Sequence, residues 1–450
     1  MVNVSVDFQK SVGKMKPMHA VNNGPVCKVG ETTQGWNNSG NLHAYAAAGI
    51  PFARTHDSSF YPRYGLEHTV DVMAIFPNFD ADVNDPASYD FVCTDNYMQM
   101  IEMAGTKVFY RLGHRIEHEI KKYGTLPPKD FQKWAEICEH IIRHYTEGWA
   151  DGFRMDIEYW EIWNEPDLDP DDATNKRTWG GTQAQFFEFY HIVATYLKGK
   201  FPHLKIGGPA VAGKMPWVEA FITQLKAPLD FFSWHVYAHT IEKVADRARR
   251  IRELLDANGF TETESILNEW NYVQGWETLP LRYSHKKQRE LKGAAFNVGV
   301  MSVCQSGSVD MLMYYDARPT GWNGLFNPEA LDECYKAYYS LYAFNELYKL
   351  ENAVKAEVVG ECGYALAARK DDEAAVMLCH YDDNDDAAPR TFAVELNGLG
   401  GENGTELEDY LLDDASDLAL AEKLTFFGDR FIFEKALPVN VCYLLKLKAK

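Results

Sequence analysis

Short, nearly continuous apolar runs alternate with longer segments of helical periodicity from about residue 14 to residue 346. Such runs are typical of parallel strands that are covered on both faces. Eight of them are predicted as strands: Lys16–Val21, Phe52–His56, Lys107–Leu112, Tyr159–Trp163, Lys205–Gly208, Phe231–Tyr237, Ser265–Trp270 and Val309–Tyr315. Eight strands that are each followed by a helix predict an α/β fold, a closed (β/α)8 TIM barrel, rather than an open sheet.

Two of the intervening segments show the helical spacing most clearly. Apolar residues in Asp130–Tyr145 recur on one helical face, and Pro127-Pro128 precede them at a plausible helix start. Ile241–Ala257 is predicted as a second helix, and Gly259 stands where a C-terminal cap belongs.

After about residue 347 the pattern changes to short strands separated by turns. The predicted strands are Tyr364–Ala368, Ala375–His380, Phe392–Leu396, Glu408–Leu412, Phe431–Phe433 and Val439–Leu447. They favour a small antiparallel β-sandwich. We therefore expect a catalytic barrel over residues 14–346 and a sandwich over residues 347–450, joined by a strand from residues 1–13.

Composition and charge narrow the possible partners. The formal net charge of −20 disfavours binding to nucleic acids and to anionic membranes. The N-terminus lacks the features of a secretory signal, and no apolar run reaches the roughly 18 residues of a membrane span. The eight cysteines form no C-x-x-C pair and favour a cytoplasmic protein. A homo-oligomer is compatible with these features.

The strongest chemical signal is the segment Trp160–Pro166, in which an apolar run ends in Asn164-Glu165 before a proline. The C-terminal ends of barrel strands point into the active site, so Glu165 is expected to face a substrate. A carboxylate at a strand end could instead form a surface salt bridge or cap a helix.

A second Asn-Glu pair, Asn268-Glu269, ends a later strand beside Trp270. By our count Glu165 and Glu269 end the fourth and seventh strands, which lie across the barrel mouth from each other. Glycoside hydrolysis needs two opposed carboxyl groups, one to protonate the leaving oxygen and the other to attack the anomeric carbon. The pair is therefore much more informative than either residue alone.

These motifs resemble those of the clan A glycoside hydrolases, and the chain is most similar to glycoside hydrolase family 39, the β-xylosidase-like enzymes. Further features of the resemblance are Asn22-Asn23-Gly24-Pro25, Arg54-Thr55-His56, His235-Val236-Tyr237 and Gly321-Trp322. The resemblance covers the barrel and the appended sandwich. Several families of the clan share the Asn-Glu-Pro motif.

The resemblance implies roles in catalysis. Glu165 is expected to be the general acid/base and Glu269 the nucleophile. Tyr237 is expected to hydrogen-bond Glu269, and Arg54 to support it electrostatically. Asn164 is expected to bind the sugar hydroxyl next to the anomeric carbon. A buried structural ion pair would equally explain Arg54.

The resemblance also implies substrate contacts. His56 and His235 are expected to bind hydroxyls in the −1 subsite, which holds the sugar whose bond is cleaved, and Trp322 to form a stacking wall. His114, at the end of the third strand, is expected to contact substrate, although it has no defined role. His56 or His235 could instead be a hydrogen-bonded core residue, and Trp322 could be ordinary core.

Two residues depart from the family pattern. Asp57 stands where the family usually has Gly, and Asn268 where it more often has Thr. Asp57 is a candidate substrate contact that would shift specificity away from plain xylose. Because Asn268 creates a second Asn-Glu pair, the motif alone does not decide which glutamate is the acid/base and which is the nucleophile.

Together these features imply a retaining hydrolase that acts by double displacement without a metal or an organic cofactor. The acid should have a pKa raised from about 4.3 toward about 6–7, while the nucleophile stays ionised. The expected substrate is the non-reducing end of a short oligosaccharide, a β-xyloside or a related glycoside. The sequence also leaves α-L-arabinosides, β-glucosides and release of disaccharides open.

Two other functions are weighed. The segment His114–His118 matches H-x-x-E-H, a zinc peptidase motif that requires a helix, but here it directly follows a predicted strand. A non-catalytic carbohydrate-binding barrel would usually lack one of the two carboxylates, and both are present.

Overall fold

The structure is a computed structural model that describes residues 1–26, 28–29, 36–37, 40–59, 68–319, 322, 324–331 and 333–450. Its strands are β1 (Val2–Lys14), β2 (Ala20–Asn22), β3 (Lys28–Val29), β4 (Trp36–Asn37), β5 (Phe52–Arg54), β6 (Lys107–Leu112), β7 (Tyr159–Ile162), β8 (Lys205–Val211), β9 (Phe231–Ala238), β10 (Glu264–Tyr272), β11 (Met311–Tyr314), β12 (Asn352–Val359), β13 (Gly363–Lys370), β14 (Glu373–His380), β15 (Arg390–Asn397), β16 (Thr405–Leu412), β17 (Asp417–Phe426), β18 (Arg430–Leu437) and β19 (Cys442–Ala449). Its α-helices are α1 (Leu42–Ala47), α2 (Val72–Ile75), α3 (Val92–Met103), α4 (Phe131–Thr146), α5 (Gln183–Lys200), α6 (Met215–Gln224), α7 (Ile241–Ala257), α8 (Thr278–Lys287), α9 (Leu291–Ser306) and α10 (Lys336–Tyr348).

Eight parallel strands close into a barrel in the order β10-β11-β2-β5-β6-β7-β8-β9. Each of the eight overlaps its predicted range, although β2 shares only Ala20 and Val21 with the predicted Lys16–Val21, and the predicted TIM barrel is confirmed. The helix predicted over Ile241–Ala257 has the same bounds in the structure. Gly259 follows it with φ 85°, which is left-handed backbone that glycine adopts without strain.

The remaining long strands form a nine-stranded sheet in the order β17-β16-β19-β14-β13-β12-β1-β15-β18. Its pairs are antiparallel except that β1 and β15 run parallel. The sequence did not predict β12 or β17. In β12 only Ala353 and Val354 are fully buried, and β17 is an exposed edge strand, so neither shows a clear apolar alternation.

This sheet has two apolar faces. In β14, Ala375, Met377 and Cys379 pack into the core shared with the barrel. The alternate residues Val376 and Leu378 pack into a separate core within the sheet domain. Side chains alternate along a strand, so one strand serves both cores. Helix α9 lies at the shared core and is buried over most of its length.

Small residues let α9 pack closely against its neighbours. A Cβ on Gly299 would lie 2.1 Å from the Ile241 side chain of α7, a distance that requires something to move. The same Cβ would lie 3.4 Å from Tyr364 of β13. The helix is therefore packed closely between α7 and β13, and a side chain at position 299 would require the Ile241 side chain to shift. Among the described helices, none combines the length and the apolar character needed to cross a membrane.

A buried lysine joins the two parts. Lys292 of α9 lies with its Nζ 2.8 Å from Asp385 Oδ1 and donates to the Asp383 carbonyl at 2.6 Å. Tyr272 and Tyr283 of the barrel donate to the same two aspartates. The acidic loop after β14 is thus held by three side chains of the barrel.

We expect Lys292→Ala to lower the free energy of unfolding by about 2 kcal/mol, because hydrogen bonds to charged groups contribute roughly 1.5–3 kcal/mol. The value lies within this range rather than at its top, because Asp383 and Asp385 are partly exposed and water can replace part of what they lose. Urea unfolding followed by tryptophan fluorescence would measure the change. Lys286→Ala is the control, since the Lys286 side chain is 72% exposed whereas that of Lys292 is 1% exposed. Equal effects of the two substitutions would contradict the assignment.

Candidate active site

A charged layer crosses the barrel interior above an apolar floor. The floor consists of buried side chains: Ala20, Phe109, Tyr159, Phe231, Ile266, Met311 and Met313. Above it, Arg54 at the end of β5 donates its Nε to Glu161 Oε2 at 2.6 Å, and both side chains are 0% exposed. Glu161 also accepts from Ser233 Oγ at 2.6 Å and from the Asn268 amide. A buried ion pair of this kind needs such additional hydrogen bonds to be tolerated.

Arg54 also connects this layer to the residues above it. Its Nη1 donates to Glu269 Oε1 at 2.9 Å and to Asn22 Oδ1 at 3.0 Å. Its Nη2 donates to Asn164 Oδ1 at 2.7 Å. The last bond fixes the Asn164 amide, so that its NH2 group is the part left to donate to a substrate. One guanidinium therefore positions groups on three other strands or their ends.

Glu269 lies within β10 with a side chain that is only 5% exposed. His56 Nε2 lies 2.8 Å from its Oε1, and the Tyr237 hydroxyl donates to its Oε2 at 2.9 Å. Burial alone would raise the pKa of Glu269, but His235, His56 and Arg54 lower it below its ordinary value of 4.5. Glu269 is therefore a buried carboxylate that stays ionised.

Glu165 follows β7 on a backbone held in an uncommon conformation. Trp163 has φ 73° and Glu165 has φ 48°, both in the left-handed region that residues with a side chain rarely adopt. The Glu165 N–H donates to the Ala210 carbonyl at 2.9 Å, and the Thr178 hydroxyl donates to the Glu165 carbonyl at 2.6 Å. Strain of this kind persists only where neighbouring structure enforces it and is common at functional sites.

His235 of β9 lies between the two glutamates. Its Nδ1 is 2.8 Å from Glu165 Oε1 and 3.4 Å from Glu269 Oε2. One oxygen of each glutamate and a ring nitrogen of His235 lie within 4.8 Å of one another. In the described part of the chain this is the one group of three acidic, histidine or cysteine side chains close enough to surround an ion. We interpret it as a hydrogen-bonded carboxylate pair rather than as a metal site, since each member already has partners among its neighbours.

Asp57 lies behind His56 and is bound by protein donors. Its Oδ1 is 3.3 Å from His56 Nδ1, and its Oδ2 is 3.4 Å from Arg318 Nη2. Asn23 and Tyr315 also donate to Oδ2, at 3.0 and 3.3 Å. Burial would raise the pKa of Asp57, but Arg318 and His56 hold it well below its ordinary value. The carboxylate thus has few sites left for sugar hydroxyls.

The charges around His56 keep its ring protonated. Burial lowers the pKa of His56, but the carboxylates of Glu269 and Asp57 raise it, with the net result of about 9. The ring of Tyr315 packs edge-on against His56 with 5.2 Å between centroids. Beyond Asp57, burial raises the pKa of Asp316 to about 8. At neutral pH, His56 is therefore a cation between two carboxylates.

Aromatic rings form one wall beside these groups. Trp322 lies 5.5 Å from Tyr237 and 6.2 Å from Tyr315, between ring centroids. His285 of α8 packs behind Trp322 at 4.6 Å. Trp276, in the loop after β10, lies 5.8 Å from Trp322. Gly321 of the Gly321-Trp322 motif lies outside the described residues.

His114 is not brought into this group. Its Nε2 lies 2.9 Å from Glu117 Oε1, and its Nδ1 lies 3.5 Å from Asp71. It lines a separate, mostly apolar cavity of about 280 Å³ with Phe76 and Trp134 among its other walls. Residues 114–118 form a loop rather than the helix that the zinc motif requires. Burial would raise the pKa of Glu117, but bonds from His114, the Tyr123 N–H and Thr125 lower it to about 2, which suits a structural carboxylate.

Sequence reasoning missed two parts of this site. Glu161 is not among the predicted site residues, although it alternates with Tyr159 along the strand and therefore points into the barrel as Tyr159 does. That alternation was a usable signal. The sequence around Trp276 contains no such signal, because only the fold of the loop after β10 brings Trp276 to the aromatic wall.

A family model and two curated proteins match parts of this chain. The model of the Glycosyl hydrolases family 39 matches residues 2–272. The β-xylosidase of Caldicellulosiruptor saccharolyticus is 28% identical over 162 residues, which cover 33% of this chain and 31% of that protein. The β-xylosidase of Geobacillus stearothermophilus is 32% identical over 123 residues, which cover 26% of this chain and 22% of that protein. The match thus spans less than a third of the length of either curated relative.

Solved structures share the fold over the whole chain. The glucosidase from Croceicoccus marinus has a TM-score of 0.78 at 22% identity and covers 100% of this chain and 99% of its own. A monomeric β-xylosidase from Caulobacter crescentus CB15 has a TM-score of 0.72 at 17% identity and covers 99% of both chains. At such identities the likeness establishes the fold alone. Because the family match extends over more than half of the chain, the protein belongs to glycosyl hydrolases family 39.

Proposed function

We propose that the protein is a retaining glycoside hydrolase in which Glu165 is the general acid/base and Glu269 the nucleophile. The observation that carries this proposal is the close approach of the two carboxylates, whose nearest oxygens lie within 4.8 Å. Retaining enzymes place their two carboxyl groups about 5–5.5 Å apart, whereas inverting enzymes need about 6.5–9.5 Å to admit a water molecule. The separation in this chain favours attack by the carboxylate itself.

The two glutamates differ in the way that double displacement requires. Glu269 is ionised and receives hydrogen bonds from Arg54 and Tyr237, so it is suited to attack the anomeric carbon. Glu165 lies nearer to solvent, with a side chain that is 13% exposed. In the first step Glu165 protonates the leaving oxygen as Glu269 forms the glycosyl ester. In the second step Glu165 takes a proton from the water that attacks the same carbon, and Glu269 leaves.

His235 and Asn164 support the two steps from the protein side. His235 contacts Glu165 at 2.8 Å and can therefore orient its carboxyl group as the proton moves. Asn164 has its oxygen held by Arg54, and its NH2 group is suited to donate to the hydroxyl next to the anomeric carbon. Trp322 offers an aromatic face to the sugar in the −1 subsite. His114 has no part in this proposal, because both of its ring nitrogens face carboxylates elsewhere.

We infer that the substrate is a β-xyloside at the non-reducing end of a short oligosaccharide. Both curated relatives are named β-xylosidases, which favours a xyloside over an arabinoside or a glucoside. Glu269 and His56 are almost fully buried, which suits a pocket for one terminal sugar better than an open cleft for a polymer. The presence of an ionised nucleophile beside a second carboxylate argues against a non-catalytic binding barrel.

The first prediction concerns stereochemistry. We expect hydrolysis of 4-nitrophenyl β-xyloside, followed by proton NMR, to release the β anomer first and the α anomer only by later mutarotation. Retention follows from attack by Glu269 and then by water, each with inversion. Initial release of the α anomer would contradict a nucleophilic role for Glu269.

The second prediction assigns the two glutamates. We expect Glu165→Ala to slow hydrolysis of substrates with poor leaving groups by about 10²–10⁴-fold, the usual contribution of a general acid. Azide should rescue this variant and form the β-glycosyl azide, whereas Glu269→Ala should be rescued to the α-glycosyl azide. Glu158→Ala is the matched control, because Glu158 immediately precedes the same strand at its other end. Swapped azide stereochemistry would reverse the two roles.

The third prediction concerns the proton on His56. The protonated ring supports the charge of Glu269, so we expect kcat/KM to fall as pH rises through about 9, where His56 loses its proton. A 2,4-dinitrophenyl glycoside should be used, since its leaving group needs no proton from Glu165. Asp57→Asn removes one of the carboxylates that raise the pKa of His56. It should therefore move the fall in kcat/KM, the alkaline limb of the pH profile, to lower pH.

The control for this experiment is Asp316→Asn. Asp316 accepts a hydrogen bond from Asn23 at 3.0 Å and lies 3.9 Å from Arg318. It acts on His56 only through its charge, whereas Asp57 lies 3.3 Å from the His56 ring nitrogen. Asp316→Asn should therefore move the alkaline limb of the pH profile less than Asp57→Asn does. An unmoved limb in Asp57→Asn, or equal shifts in both variants, would show that Asp57 does not hold the His56 proton.

A further inference from the structure

The loop between β10 and α8 presents a tryptophan to solvent. Trp276 is 61% exposed, whereas most other tryptophans of the described chain are buried in the barrel. Exposure of a single apolar residue is ordinary, but a tryptophan ring is the largest apolar surface that a side chain offers. Whether this surface can bind a ligand depends on where the ring lies relative to the active site.

That position is next to the proposed nucleophile. The Trp276 ring packs edge-on against Tyr237 at 5.5 Å between centroids, and Tyr237 donates to Glu269 at 2.9 Å. Trp276 also lies 5.8 Å from Trp322. The exposed ring therefore continues the aromatic wall of the −1 subsite outward, one ring beyond the residue that contacts Glu269.

The loop holds Trp276 in place. Val273 N–H donates to the Ala238 carbonyl at 2.9 Å, and Gln274 N–H donates to Ser284 Oγ at 2.9 Å. A Cβ on Gly275 would lie 2.9 Å from the Glu277 carboxylate and 3.0 Å from Pro280, so the residue before the tryptophan lies close to the side chains that follow it. A ring that is fixed before binding loses little conformational entropy when a ligand stacks on it.

We propose that Trp276 is the stacking platform for the leaving-group ring of the substrate, and that the enzyme takes glycosides whose aglycone is a second pyranose or an aryl group. The inference rests on the proposed function, because a site for one terminal sugar leaves the rest of the substrate on the leaving-group side. Sugar rings present C–H faces, and aryl groups present π faces, that both pack on an aromatic surface. A methyl aglycone has neither.

The test compares ligands that do and do not reach the platform. Inhibition constants are measured for xylose, which fills only the −1 subsite, and for the sulfur-linked analogue of β-1,4-xylobiose, which also carries a leaving-group ring. The KM and kcat for 4-nitrophenyl β-xyloside are measured beside them. The proteins are the wild type, Trp276→Ala, Trp276→Phe and Leu279→Ala, each checked for an unchanged melting temperature.

We expect Trp276→Ala to weaken binding of the thio-disaccharide and to raise the KM of the aryl xyloside by about fivefold to tenfold, the effect of losing one stacked ring. Binding of xylose should not change. Trp276→Phe should recover most of the loss. Leu279→Ala is the matched control, since Leu279 is 75% exposed just beyond the same loop, and it should behave as the wild type.

Two results would overturn the inference, and they differ from each other. Unchanged disaccharide binding and KM in Trp276→Ala, with normal turnover by the wild type, would reject the platform and leave the proposed function intact. An equal loss of xylose binding would place Trp276 in the −1 subsite instead. If the wild type hydrolyses no aryl glycoside, the proposed function fails and the platform fails with it.

Discussion

The structure of the site depends on one buried cation. Arg54 stands inside the barrel with no exposure to solvent, where an unpaired guanidinium would be costly. Its three nitrogens reach Glu161, Asn22, Glu269 and Asn164, which belong to three other strands or their ends. Each partner must therefore keep its place for the charge to be satisfied. Strand register, the apolar floor and the position of the proposed nucleophile are all constrained by this one side chain.

The rest of the site can be understood as two environments around that charge. On one side His56, Asp57 and Arg318 continue a chain of alternating charges away from Glu269. On the other side Tyr237 begins an aromatic wall that runs outward to Trp276. Charged groups thus lie around Glu269, and aromatic rings line one side of the site. This separation suits a reaction in which charge develops at one atom of a largely neutral substrate.

The sequence predicted the barrel well because buried parallel strands are continuous apolar runs, and the helix over Ile241–Ala257 has a regular stripe. Strand ends converge at one face of a barrel, so the sequence predicted that Glu165 and Glu269 lie close together, and the structure brings them together. It does not bring His114 into this group, because its strand end is near the site but its side chain turns to Asp71 and Glu117. The sequence could not predict the parallel pairing of β1 with β15, which depends on contacts between residues far apart in the chain. Loop geometry and long-range pairing are set by tertiary packing, not by local pattern.

The pairing of charges also bears on the proposed intermediate. When Glu269 becomes a glycosyl ester it loses its negative charge, and every buried cation that it balanced could be left unpaired, which costs roughly 3–5 kcal/mol for a broken buried pair. In this chain each such cation has a second carboxylate. Arg54 keeps Glu161 at 2.6 Å, and His56 keeps Asp57 at 3.3 Å. When Glu269 is neutralised, Arg54 and His56 therefore each lose one carboxylate partner and keep the other. Asp57 is thus the carboxylate that His56 keeps when Glu269 is neutralised.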